Sequence, residues 1–116
     1  MKLLVIFDKE TLISAEKACV HTGHSNRAIM EQIMFDSKYG LPEDYKNWKD
    51  NHFKNVLLRD KLNDNLIQKI KEFEYWYEIY DAGLDGVYTP DTKLGYAVLV
   101  PNEDTTFKRL RTLKLD

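Results

Sequence analysis

Three histidines and one cysteine are the candidates for metal chemistry in this chain. His21 and His24 are three residues apart, a spacing that brings two side chains to one helix face, with Cys19 and His52 as further donors. Gly23 stands between them as a helix end, and no second cysteine completes the three or four ligands zinc uses. They read better as exposed histidines at a helix terminus, and Cys19 as an inert core residue. Asp8 closes an apolar strand, where phosphoryl-transfer chemistry would want a second Asp two residues on; Glu10 stands there instead. Pro90-Asp91 would open a nuclease-like site only if an acid-x-Lys followed, and Gly95 to Val100 carries no charge. With no nucleophile–base pair, metal cluster or phosphate loop, the expectation is a non-catalytic protein needing neither cofactor nor metal.

Composition bounds the alternatives. The 116 residues are 43% apolar and 31% charged, which excludes a disordered or collagenous chain. One domain, 1–116, is expected, with a helical subregion at 11–38 and a β-rich subregion at 53–116. The apolar run Leu3 to Phe7 is too short to cross a bilayer, so no membrane partner is expected. A lone cysteine makes no internal disulfide, which favours the cytoplasm. The net charge of −2 lacks the broad positive field of most nucleic-acid binders. The charges nevertheless segregate. Glu72 to Thr92 holds six acids and no Lys or Arg, whereas Phe107 to Lys114 holds Lys108, Arg109, Arg111 and Lys114 and no acid.

The elements that position these residues follow from periodicity and punctuation. Met1 to Phe7 is a strand. Thr11 caps a helix with Leu12, Ala15, Cys19 and Thr22 at helical spacing, and Gly23 ends it. Ser25 caps a second helix with Ile29, Met30, Ile33 and Met34 on one face. Pro42 starts a short third helix to about Lys49. Phe53 to Leu58 is a strand, and Asn63 or Asp64 caps a helix through about Phe73. Glu74 to Tyr80 is an aromatic strand, with Tyr75, Tyr77 and Ile79 on one face and Trp76, Glu78 and Tyr80 on the other. Residues 82–86 form a turn. Val87 to Thr89 and Leu94 to Val100 flank a hairpin turn at 90–93. Asn102 to Leu115 reads either as a short helix capped by Asp104 or as a closing strand. The class is α+β: an N-terminal strand, a helix-turn-helix-like pair, then a mostly antiparallel meander with one further helix.

One constellation has specific spacing. A helix-turn-helix needs a small residue at the helix crossing, a residue tolerating positive φ four later, an N-cap two further on, and an aliphatic residue four beyond that. Cys19, Gly23, Ser25 and Ile29 satisfy all four. Together with L-V-I-F-D-K-E-T upstream, the stretch S-x-x-x-A-C-x-x-T-G-x-S-x-x-x-I resembles the nuclease-associated modular DNA-binding domain of phage and intron homing endonucleases. The resemblance spans residues 3 to about 33. It implies a phage-type regulator or accessory factor that binds double-stranded DNA. Asn26, Arg27 and Met30 would then face the major groove, and the backbone at Ser25 would hold a phosphate. Lys108, Arg109 and Arg111 would add backbone contacts. A tight helical hairpin with no DNA role has the same spacing.

The alternative is a phage-type inhibitor or adaptor, or a nucleic-acid mimic, that binds a basic host protein surface. Tyr75, Trp76, Tyr77, Tyr80 and Tyr88 lie among six acids, and only one face of a strand packs into a core. Glu74, Trp76, Glu78 and Tyr80 would form that interface. A solvated acidic face over an aromatic core has the same composition. A homodimer is compatible with either reading.

Overall fold

A computed structural model describes residues 1–11, 13–37, 40, 42–81 and 92–114. The expected turn at 82–86, the strand at 87–89, positions 90 and 91 of the hairpin turn, Leu12 and Leu115 lie outside the described residues. The class is α+β. In chain order the elements are β1 (Lys2–Asp8), α1 (Ala15–Phe35), α2 (Glu43–Asp50), β2 (Asn55–Asp60), α3 (Asp64–Lys71), β3 (Trp76–Asp81), β4 (Thr92–Val100) and β5 (Arg111–Thr112).

The five strands form one sheet in the order β3-β4-β1-β2-β5. β1 and β2 pair in parallel, joined by the crossover through α1 and α2, while the other three pairings are antiparallel. The sheet is therefore mostly antiparallel, with its most apolar strands, β1 and β4, inside rather than strung out as a meander. Leu3, Val5 and Phe7 of β1 face α1 and α2, where they meet Ile29, Ile33 and Trp48. Leu4 and Ile6 face the other way, onto Ile70 of α3 and onto Phe107. Two helical layers thus sandwich the sheet, and β1 is apolar from Leu3 to Phe7 because both its faces are covered there.

The caps of α2 and α3 follow the sequence. Pro42 sits at the start of α2, and the Asn63 side chain accepts from the backbone N–H of Leu66 at the start of α3. The segment 11–38 departs from expectation. There is no turn at Gly23: residues 15–35 form one helix, capped by Ser14 rather than Thr11. The buried positions Ala18, His21, Ser25, Ile29 and Ile33 recur at three and four residues, and this stripe runs through Gly23 without losing phase. Ser25 caps nothing. It is wholly buried, and its hydroxyl donates to the carbonyl oxygen of His21 at 2.7 Å, one turn back within the same helix. Cys19 is exposed instead of buried at a helix crossing. Met34, expected on the apolar face, is exposed as well.

Gly23 supplies a test of the continuous helix. A Cβ built there meets nothing within 4 Å. Gly23→Ala is therefore expected to raise stability by roughly 0.5–1 kcal/mol, the helix-propensity difference. A left-handed turn at that position would give a loss instead, and urea denaturation reads the sign.

Candidate functional site

β1, β2 and β3 run in the same direction, because β1 and β2 are parallel and β1 and β3 each pair antiparallel with β4. Their last residues, Asp8, Asp60 and Asp81, therefore end on one edge of the sheet. α1 begins beyond the end of β1 and runs back antiparallel to β3. Gln32, near its C-terminus, donates to the carbonyl oxygen of Trp76, while Lys17, near its N-terminus, reaches Asp81.

Asp81 is the centre of an ionic cluster. The alternation along β3 puts Tyr77, Ile79 and Asp81 on the face toward α1. There the Asp81 side chain is 3% exposed. Its Oδ2 accepts from Lys17 Nζ at 3.0 Å and lies 3.1 Å from Nε2 of His21, whose side chain is 5% exposed. A carboxylate only accepts, so His21 Nε2 carries the proton in this contact, and Nδ1 is the ring nitrogen left to find another partner. That Nδ1 is buried and has no partner among the described residues. The His24 ring stands edge-on to His21 with centroids 5.4 Å apart. The Lys17 side chain, at 22%, is the member that reaches solvent. No group of three His, Cys, Asp or Glu among the described residues is placed to hold a metal.

Farther along the same edge lies an open groove of about 1100 Å³ lined by Lys9, Arg59, Asp60, Arg109, Leu110, Arg111, Thr112 and Lys114. Five cations thus face one carboxylate. Arg59 and Arg111 are directly opposed in the β2–β5 register, an arrangement of like charges that disfavours the pairing. One Arg59 nitrogen, Nη2, donates to the carbonyl oxygen of Lys9 at 2.8 Å, while Nε is buried without a partner among the described residues. Arg59 shares the α1-facing side of the sheet with Leu57, hence with Asp81. Three strand spacings separate β2 from β3, so the groove begins about 14 Å from the cluster.

The residues expected to read DNA are placed differently. Ser25 is buried, and Asn26 is tied to Asn55 of β2 by reciprocal amide contacts of 2.8 and 3.1 Å and to the carbonyl oxygen of Thr22. Met30 packs against the core. Arg27 is exposed but bonds Glu31 at 2.9 Å. The four do not form an outward reading face. Of the basic tail, Arg109 and Arg111 line the groove, while Lys108 belongs to a smaller pocket on the α3 side with Lys2 and Asp104.

The residues expected at a protein interface also divide. Trp76 packs half-buried into the α3-side core against Tyr96, and Tyr80 and Glu74 are exposed. Glu78 accepts from the Tyr96 hydroxyl at 2.7 Å and pairs with Lys93 at 2.8 Å. That Lys93 hydrogen bond, helped by the Tyr96 and Tyr80 hydroxyls and opposed by burial, holds the Glu78 carboxyl down at about 2. Its folded value lies below the ordinary 4.5, so the stabilisation is present above pH 4.5 and is lost as pH falls through about 2. The stability advantage of the parent over Glu78→Gln should be full at neutral pH and shrink steadily from about pH 4.5 toward 2. Urea titrations across that range check it, and a constant difference would mean the carboxylate is unperturbed.

The sequence alone does not single out Lys17, His21 and Asp81 as a site. The signal was present in the strand: Asp81 continues the Tyr75, Tyr77, Ile79 face, and an acid at a core-facing position asks for a partner. Compared with protein-family models and with curated proteins, the chain matches none.

Proposed function

We propose that this protein is a hydrolytic enzyme whose acid–base site is Lys17, His21 and Asp81, with the basic groove holding the phosphate-bearing part of its substrate. The observation that supports this most is Asp81, a carboxylate sunk against a helix and paired to a lysine that reaches solvent. Folding does not require such a pair, because apolar side chains of similar volume are often as stable or more so. Buried carboxylates with specific charge partners cluster at functional sites. Asp81 is the base that takes a proton from water, His21 orients it, and Lys17 faces the negative charge that grows on the attacked oxygen.

The test compares carboxyl-ester, amide and phosphodiester substrates, each linked to a nucleotide and each free of one. The reading expects turnover of one nucleotide-linked class, slowed at least 100-fold in Lys17→Met, with the nucleotide-free counterpart slower in the parent. No turnover of any member, or equal turnover by Lys17→Met, contradicts it.

A second reading, duplex DNA binding in the groove without chemistry, is favoured by the opposed Arg59 and Arg111. An anion lodged between them removes their repulsion. In this reading Arg59→Ala/Arg111→Ala lowers the salt dependence of a mobility shift by about two phosphate contacts, and Asp81→Asn binds as the parent does. An unchanged salt slope removes the groove from DNA binding.

A further inference from the structure

β3 is an edge strand, paired with β4 on one side and with no strand on the other among the described residues. The hydrogen-bond phase of the β3–β4 ladder fixes which backbone groups point outward. Leu99 donates to the carbonyl oxygen of Tyr75 at 3.0 Å, so 75, 77 and 79 bond inward to β4, and 76 and 78 present N–H and C=O to the open edge. Trp76 C=O there is occupied by the Gln32 amide. Among the described residues Glu78 has no backbone bond outside its own strand ladder, and its phase aims N–H and C=O away from β4. The edge is not an accident of exposure alone: a groove of about 580 Å³ runs along it, lined by Gln32, Glu74, Trp76, Tyr77 and Glu78. A second groove, of about 470 Å³, continues from it along the end of α1 past Glu31, Phe35 and Asp36.

Acids outnumber cations along this channel: Glu78 is paired with Lys93 and Glu31 with Arg27, Lys71 stands over the Trp76 ring, and two further acids line it. Glu74 and Asp36 are exposed and form no ion pair among the described residues, and the nearest-lying aromatic side chain of α1, Phe35, is 88% exposed. From Glu72 to Asp81 the chain has four acids and no Lys or Arg. A second copy pairing β3 against β3 would set acids against acids, which disfavours a homodimer through this edge. We propose that the free edge of β3 receives an extended basic segment of a partner protein as an added strand. Backbone hydrogen bonds to Glu78 supply the register, Glu74 and Asp36 take Lys or Arg side chains, and Phe35 covers an apolar residue between them. The surface is separate from the Lys17–His21–Asp81 cluster and does not depend on that site being catalytic.

The probe is a blocked heptapeptide of alternating Val and Lys, compared with its Glu counterpart and with a version N-methylated at alternate residues. Fluorescence anisotropy gives affinity, and amide exchange reports Glu78. Saturable binding of the Lys peptide below about 1 mM is expected, with slowed exchange at the Glu78 amide. N-methylation and Glu74→Lys should each weaken it at least tenfold, and the Glu peptide should not bind. Glu74 is exposed, so its variant keeps the fold, which circular dichroism checks. Equal binding of the methylated peptide would reduce the contact to charge attraction and overturn strand addition. Absence of saturable binding, unchanged Glu78 exchange, or a dimer in sedimentation that buries the β3 edge would overturn it as well.

Discussion

Lys17→Met is expected to lower stability by about 3 kcal/mol, because it strips the cation from a carboxylate that has almost no access to water. The loss should be partly reversed by a second change. In Lys17→Met/Asp81→Leu both charges of this pair are gone, so the double variant should lose less than the sum of the singles, with a coupling of roughly 2 kcal/mol. Urea denaturation of the four proteins closes the cycle. His21 stays in all of them, so its ring, left without the Asp81 acceptor, sets a floor on the recovery. Strict additivity would show that the 3.0 Å contact contributes nothing in solution.

Gly95→Ala is expected to cost more than about 3 kcal/mol and to leave little native protein. Gly95 lies in β4, opposite Phe7 of β1 on one side and Ile79 of β3 on the other. A Cβ there would run into the carbonyl oxygen of Ile6 and would stand 2.9 Å from its carbonyl carbon and 3.0 Å from Cα of Phe7. All three atoms belong to the backbone of a strand paired on both sides, so no side-chain rotation relieves the clash. The ladder between β1 and β4 must part, and with it the placement of β3 and Asp81. A cooperative melt near the parent temperature would show that β1 and β4 approach less closely than this.

The fold was legible where local signals agree with tertiary need. Pro42 and Asn63 start their helices, and the aromatic alternation of 75–80 marks a strand, because capping and period-two burial are local physics. Gly23 and Ser25 misled because glycine at a helix end and serine at a helix start are local signals too. Here burial of Ser25 against the sheet and the unbroken stripe from Ala18 to Ile33 outweigh them. The stripe was readable: a turn at Gly23 would reset the phase, and Ala18, His21, Ser25, Ile29 and Ile33 keep it. The parallel pairing of β1 with β2 was not readable, since a double-faced apolar strand such as Leu3–Phe7 fits several sheet orders. The cluster was hidden for the same reason. Lys17 and Asp81 stand 64 residues apart, and only the order β3-β4-β1 together with the reversal of α1 brings them within 3.0 Å. The basic tail was visible as composition, but its junction with Lys9 and Arg59 depends on β5 pairing with β2.

The proposed role of Asp81 is that of a base, beyond that of a buried ion held by its neighbours. Asp81→Asn tests it most directly, because the amide keeps the shape and can still meet His21 while losing the ability to take a proton. The measurement is kcat/KM of this variant on the nucleotide-linked substrate that the parent turns over fastest, at a temperature where circular dichroism shows both proteins folded. A fall of about 10²–10⁴-fold is expected, the range for removing a general base. A kcat/KM within twofold of the parent would contradict it and make Lys17, His21 and Asp81 a structural cluster.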